Sequence, residues 1–382
     1  VAGVTAVLGT AALIVLLVGP LGAPPDEAPV DRSPAAGGAR PDVDPAARTL
    51  LERAAGAGHA TSYEGTQFVS AWTSGGTTSQ VLTVEHTPER GTTWRPVGGA
   101  ASAPVHLAAR SAEPSILGAG AAALLARHYS LARSGSGTVA GRGAEVVTAR
   151  RPGVRGAGSL AGRFWLDEET GLVLRREVFD RSGRLIRASA YVDLTVASTG
   201  DAGSAAPGGS SAGGAGQAWR TRLDDGALSK MRRHGWHCPE ALPGPLPLVD
   251  ARQGGAGKGS DAGGSGGPTD PDDVIVHLSY ADGLASISVF QQRGGLDGAR
   301  LDGYQQRRSG ERTYWVRDGV PYRVVWASGD TVYTVVADAP ERTVRRAVRA
   351  LHDDAAARGG DGAMDRLGRG LDRVGSWFNP FG

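Results

Sequence analysis

Residues 162–180 read GRFWLDEETGLVLRREVFD. Two runs rich in aromatic and β-branched residues, Gly162–Asp167 and Leu172–Asp180, flank an acidic, Gly-terminated turn, Glu168–Gly171. That pattern predicts a β-hairpin. Arg181-Ser182-Gly183 is a second turn signal, and Arg184–Ala197 (RLIRASAYVDLTVA) reads as the returning strand. Upstream, Gly143–Arg150 reads as one more strand. Turns recurring at roughly ten-residue spacing describe consecutive hairpins, and short connections make neighbouring strands antiparallel.

Working outward, Tyr63–Trp72 (YEGTQFVSAW) alternates loosely, with Phe68 and Trp72 on one face. Ser74-Gly75-Gly76 is a turn signal, Gln80–His86 (QVLTVEH) the partner strand, and Thr92–Val97 a third. Asp44-Pro45 opens a helix, because Asp caps and Pro fits the first turn. That helix carries Leu50 and Leu51 and is expected to end near Gly56. Ser115–Tyr129 places Leu117, Leu124, Leu125 and His128 near helical spacing, so a second helix is expected to pack on the sheet. Ser198–Gln217 (STGDAGSAAPGGSSAGGAGQ) is a linker by composition. Beyond it, strands are expected at Val274–Ser279, Ala285–Gln292, Arg312–Arg317, Val320–Trp326 and Thr331–Ala337. A final helix, Glu341–Leu351, follows Pro340.

The fold class is therefore α+β, with these expected divisions: 1–23 a transmembrane signal anchor or signal peptide; 24–43 a flexible tether; 44–197 a first domain; 198–217 a linker; 218–352 a second domain interrupted by a Gly-rich insertion at 253–271; and 353–382 a tail. Val1–Ala23 holds no charged residue and contains the apolar run AALIVLLV, a length suited to one bilayer-spanning helix. In the tail, Met364, Leu367, Leu371, Val374 and Phe378 step by three or four among arginines, an amphipathic pattern suited to a membrane surface. Gly368, Gly370 and Gly375 weaken that helix.

With 41 basic and 39 acidic residues, no strong field points to nucleic acid. Lys230 and Lys258 are the only lysines, and with 59 glycines this is the style of a GC-rich, actinobacterial genome. Cys238 is the single cysteine, so the chain has no intrachain disulfide.

Four stretches together resemble the MucB/RseB family. GRFWLDEETGLVLRREVFD, continued to Ala190, is similar to hairpins of that family's N-terminal domain, and Tyr63–Phe68 (YEGTQF) to its first strand. Leu278–Arg293 (LSYADGLASISVFQQR) and Tyr333–Pro340 (YTVVADAP) are similar to the opening and close of its C-terminal domain. The hairpin stretch also resembles outer-membrane lipoprotein carriers; SYADGL in a second domain tips the choice. The resemblance implies an N-terminal half-open antiparallel β-barrel wrapping helices (LolA/LppX-like) and a smaller C-terminal α/β domain with an antiparallel sheet and a terminal helix. It implies an extracytoplasmic protein that binds a membrane-spanning anti-sigma factor and shields it from proteolysis, so governing envelope-stress transcription; the apolar run in Val1–Ala23 adds the expectation of a single-pass anchor, and the lack of a catalytic motif that of a non-enzyme. A lipid or lipoprotein carrier is the alternative.

No catalytic motif or cofactor motif is found. His234, His237 and Cys238 form the one metal-like cluster, but a structural zinc site needs four ligands, so an incidental surface turn is the better reading. Gly135, Gly137 and Gly141 depart from dinucleotide spacing and read as a plain loop. Asp167, Glu168 and Glu169 read as solvated turn acids. Tyr63, Phe68, Trp72, Phe164 and Trp165 lie on expected strands, as core or as the lining of a cavity for an apolar ligand. Tyr280, Trp315, Tyr322 and Trp326 are candidate partner contacts, with core packing the competing role.

Overall fold

The computed structural model describes residues 41–73, 76–88, 91–97, 105–106, 119–153, 156–197, 221–244, 246–255, 274–298, 301–309, 312–319 and 321–356. The expected anchor (1–23), most of the tether, the linker, most of the Gly-rich insertion and the amphipathic tail lie outside these residues. No described helix is long and apolar enough to cross a membrane.

Helix α1 runs from Pro45 to Ala60. Asp44 caps it by accepting from the Ala46 amide, and the helix runs one turn beyond the expected end. Strands β1 (Tyr63–Thr73), β2 (Gly76–Thr87), β3 (Gly91–Pro96) and β4 (Val105–His106) follow as a meander. Helix α2 (Ala119–His128) then leads into β5 (Ser130–Val139), β6 (Arg142–Gly153), β7 (Gly156–Asp167), β8 (Val173–Phe179) and β9 (Leu185–Val196). All pair antiparallel in one nine-stranded sheet, ordered β4-β3-β2-β1-β9-β8-β7-β6-β5. The last strand thus joins the two meanders by pairing with the first, Tyr63 opposite Val196. The sheet is open: among the described residues β4 and β5 each pair with one strand only, and on its outer side β5 meets just the segment before α1, through a bridge from Leu131 to Val43.

β5 corrects the plain-loop reading, because Gly135 and Gly137 lie on a strand. Only Leu131 and Val139 of that strand are buried. An edge strand with so few buried positions carries little period-two signal. The turn between β5 and β6 is Ala140-Gly141, with φ of 51° and 75°. Positive φ at both residues is the backbone of the tight hairpin turn that matches strand twist.

A second sheet is built from β10 (Thr221–Arg222), β11 (Ala241–Leu242), β12 (Leu246–Gly255), β13 (Val274–Ala281), β14 (Ser286–Arg293), β15 (Gln305–Ser309), β16 (Arg312–Arg317), β17 (Tyr322–Ser328) and β18 (Thr331–Asp338). Its order is β10-β12-β13-β14-β18-β17-β16-β15, with β11 paired to β12. Helix α3 (Asp225–Arg233) is capped by Asp224, and α4 (Glu341–Ala356) closes the described chain. Val344, Ala347, Val348 and Leu351 are the buried stripe of α4, at helical spacing. They pack with Val324, Trp326, Tyr333 and Val335 of the sheet. All described residues fall in one compact unit.

Candidate functional site

On the first sheet, α1 and α2 cover one face. Leu51, Ala54 and Ala55 of α1 and Ala122 and Leu125 of α2 form one buried cluster with Val147, Ala149, Phe164 and Leu166. Between the helices lies an open cavity of about 710 Å³. Its lining includes Leu51, Ala55, Ala122, Ala126 and Leu131, with Arg48, Glu52 and Arg127 polar at the margin. Small side chains at facing positions are what leave the space. This volume is in the range of small-ligand sites.

None of the five expected aromatic residues lines that cavity. Tyr63 and Phe164 are buried, but in separate clusters. Tyr63 stacks on His86 with ring centroids 5.0 Å apart and meets Tyr191 edge-on. Phe68 and Trp72 do share a face, the one opposite Tyr63, since strand side chains alternate. Trp165 follows Phe164 and so faces the other way, half-buried, with the Arg175 guanidinium 4.6 Å and that of Arg163 5.6 Å from its ring. The structure therefore disperses the five. The signal for the cavity was the alanine content of the two helices, which sequence reading passed over.

The WLDEETG turn is an anchored joint. Asp167 is buried, contrary to the solvated reading, and accepts from Arg142 Nε and Nη2 at 2.9 and 2.8 Å. It also accepts from the Thr170 amide at 2.9 Å and hydroxyl at 2.6 Å. Burial alone would raise its pKa, but the Arg142 and Thr170 hydrogen bonds outweigh it and hold the carboxyl below its ordinary value. Arg53 of α1 donates to the Glu168 and Glu169 carbonyls, which ties the helix to the turn.

The SYADGL stretch, which sequence reading singled out, is the tip of the β13–β14 hairpin, and it penetrates the first sheet's covered face. Leu284 is buried in the same cluster as Leu51, Leu125 and Phe164. Two glycines make room for it. A Cβ on Gly162 would lie 2.5 Å from Leu284 Cδ2, and one on Gly283 would lie 2.7 Å from the Leu125 nitrogen. Asp282 arranges the tip: its Oδ1 accepts from the Leu284 and Ala285 amides at 2.9 and 2.8 Å. Its Oδ2 accepts from the Tyr129 hydroxyl at 2.7 Å. Burial, then the adjacent carboxylate, push that hydroxyl well above its usual pKa, so it stays a donor. Nearby, Arg176 donates to the Leu284 carbonyl and pairs with Asp338 at 3.0 Å, and Arg187 pairs with the same carboxylate.

Of the four candidate partner contacts, Tyr280 and Trp326 are wholly buried. The Tyr280 hydroxyl donates to the Pro239 carbonyl at 2.9 Å, and Trp326 stacks on Tyr333 at 4.9 Å. Both occupy inward strand positions and have no surface to offer a partner. Trp315 is half-buried, and Tyr322 lies in a groove beside α4. Among the His234, His237 and Cys238 cluster only His234 is exposed, which corrects the surface-turn reading. His237 and Cys238 are buried, and the buried Gln291 side chain pairs both with the His237 amide at 3.0 Å and with its carbonyl at 2.6 Å. Among the described residues no group of three or more His, Cys, Asp or Glu is placed to hold a metal.

The family model of the MucB/RseB N-terminal domain matches residues 101–208. A crystal structure of MucB in complex with MucA(peri) is 22% identical, covering 79% of this chain and 96% of that one, with a TM-score of 0.38. The Pseudomonas aeruginosa MucA/MucB complex is 20% identical over 79% of this chain and 96% of that one, with a TM-score of 0.37. The LolA superfamily protein NE2245 from Nitrosomonas europaea is 12% identical over 39% of this chain and 92% of that one, with a TM-score of 0.18. No curated protein matches the chain. The WLDEETG hairpin thus falls within the residues that match the MucB/RseB N-terminal domain model.

Proposed function

We propose that this chain is a non-enzymatic regulatory protein acting outside the cytoplasm, where it binds a membrane-spanning anti-sigma factor. The observation that carries the proposal is the match of residues 101–208 to the MucB/RseB N-terminal domain model. The MucB structures solved in complex with MucA are the precedent for such a partner. In this reading the bound protein shields the anti-sigma factor from proteolysis and so governs envelope-stress transcription. An N-terminal single-pass anchor, domains at 44–197 and 218–352, and curling of the first sheet into a half-open barrel around α1 and α2 belong to the same proposal. Of the four aromatic candidates, the half-buried Trp315 keeps the role of partner contact in this proposal.

A second reading has a specific observation behind it. The open cavity of about 710 Å³ between α1 and α2 is large enough for an apolar ligand, as a lipid or lipoprotein carrier requires. One experiment separates the two. The full chain serves as bait against detergent-solubilised membranes of the source organism, and captured material is identified by mass spectrometry. A single-span anti-sigma factor among the specific captures supports the regulatory reading. Lipoproteins or co-purified lipid with no anti-sigma factor would sink it in favour of the carrier.

A further inference from the structure

The second sheet carries a groove that none of these readings uses. It lies between α4 and the strands β15 to β17. Tyr314, Tyr322 and Val324 form the strand side of its floor, and Val344 and Val348 the helix side. The open space at its base is about 70 Å³. Cations stand on both walls: Arg307 and Arg312 on the strands, Arg345 and Arg349 on the helix. Arg307 pairs with Asp318 at 3.2 Å and Arg345 with Glu341 at 3.3 Å. The Arg345 side chain nonetheless keeps 55% of its surface exposed, and Arg349 is exposed as well. Beyond Arg307 lies a sheet margin: β15 ends the strand order, and no other described strand pairs with its outer edge.

We propose that this groove binds an acidic peptide segment, which seats one aliphatic side chain on the apolar floor and sets its carboxylates against Arg345, Arg349 and Arg312. Guanidinium forks match carboxylates in a bidentate manner, which makes such pairs stronger than neutral hydrogen bonds. The free edge of β15 adds main-chain donors and acceptors of the kind an extended peptide can pair with. Two features favour a peptide over an anionic membrane surface. The cations face one another across a groove instead of sharing one plane. The base has room for about two waters' volume, which suits a single side chain and not an acyl chain. Burial pushes the Tyr322 hydroxyl up to about 12, so at neutral pH it is a donor at the floor of the groove and adds no negative charge.

The groove is independent of the anti-sigma reading, and its test needs no partner protein. The full chain is titrated into a fluorescein-labelled peptide of repeating Glu-Asp-Val, and binding is read by fluorescence anisotropy. The expected result is saturable binding that weakens at least about tenfold in the Arg345→Glu, Arg349→Glu pair, while the Arg342→Glu, Arg346→Glu pair weakens it less than about threefold. All four positions are exposed on α4, so both pairs keep the fold, as circular dichroism and the melting temperature would verify. The two pairs change net charge equally, and only the first faces the groove; Arg345→Glu also gives up the Glu341 ion pair, an effect on the helix that the melting temperature reads separately. Equal loss in both pairs overturns the proposal. So does binding of phosphatidylglycerol vesicles, or self-association measured by sedimentation, in place of peptide binding.

Discussion

Replacing Gly162 by Ala tests whether the β13–β14 hairpin tip is keyed into the first sheet. Gly162 lies outside the left-handed backbone region, so Ala meets no conformational penalty there. The new methyl would sit 2.5 Å from Leu284 Cδ2 and 3.3 Å from Cδ1. Overpacking of this kind costs about 1–3 kcal/mol. Leu284→Ala empties the same space from the other side. Leu284 is 3% exposed, and a buried Leu→Ala change costs about 2–5 kcal/mol. The two changes compensate, because the added methyl enters the space the lost isobutyl group leaves. The double variant should therefore be no less stable than Leu284→Ala alone, a coupling of about 1–3 kcal/mol against the sum of the singles. Gly283→Ala is the contrast. Its methyl would meet the Leu125 nitrogen at 2.7 Å and the Ala121 carbonyl at 2.9 Å, main-chain atoms that cannot move aside. Its φ of +96° adds strain, so Leu284→Ala should not rescue it. Urea unfolding followed by tryptophan fluorescence gives all the free energies. Additivity of Gly162→Ala and Leu284→Ala within about 0.3 kcal/mol would refute direct contact between hairpin tip and sheet.

Two further outcomes follow from buried ionisable groups. His277 is stacked on Phe290 at 4.3 Å, and burial lowers its pKa from 6.5 to about 4. The folded state thus disfavours the proton that the unfolded chain accepts, so this contribution is present above pH 6.5 and is lost as pH falls towards 4. The loss is at most about 3 kcal/mol, at roughly 1.4 kcal/mol per pH unit; urea midpoints at pH 7.5 and 5 should converge in His277→Gln, and an unchanged pH slope would rule the residue out. Asp167→Asn removes the charge that Arg142 grips and should destabilise by about 2–4 kcal/mol, with less loss on acidification than the parent, since the lowered carboxyl pKa stabilises only above the unfolded value. A melting temperature unchanged by that substitution would show that the EETG turn holds itself.

What could be read from sequence was what is buried in alternation. The hairpins around WLDEETG and most strands of the second sheet stand out because apolar residues repeat with a clear period, and the cap at Asp44 because Asp-Pro opens a helix. The missed elements lack that repeat. β5 and β15 are edges with mostly exposed residues. β12 begins LPLVD and ends in Gly-Gly, and α3 buries Leu228 alone. The candidate sites were harder for another reason. Aromatic type marks a residue as valuable to bury, so Tyr280 and Trp326 went to the core. The cavity between α1 and α2 and the groove beside α4 depend on small or charged residues brought together by topology, such as Ala55 with Ala126 or Arg312 with Arg349. No local pattern announces them.

The pairing of β9 with β1 also sets an order of events. In a chain made from its N-terminus, β1 appears early with β2 as its neighbour, and its other edge waits until β9 has been synthesised. Closing so distant a pair requires a large loss of chain entropy before any contact repays it, so this step should set the folding rate. Until then, the open edge of β1 can join another chain's strand. Holding the unfinished chain apart from its copies is then a requirement of its biogenesis, imposed by the strand order itself.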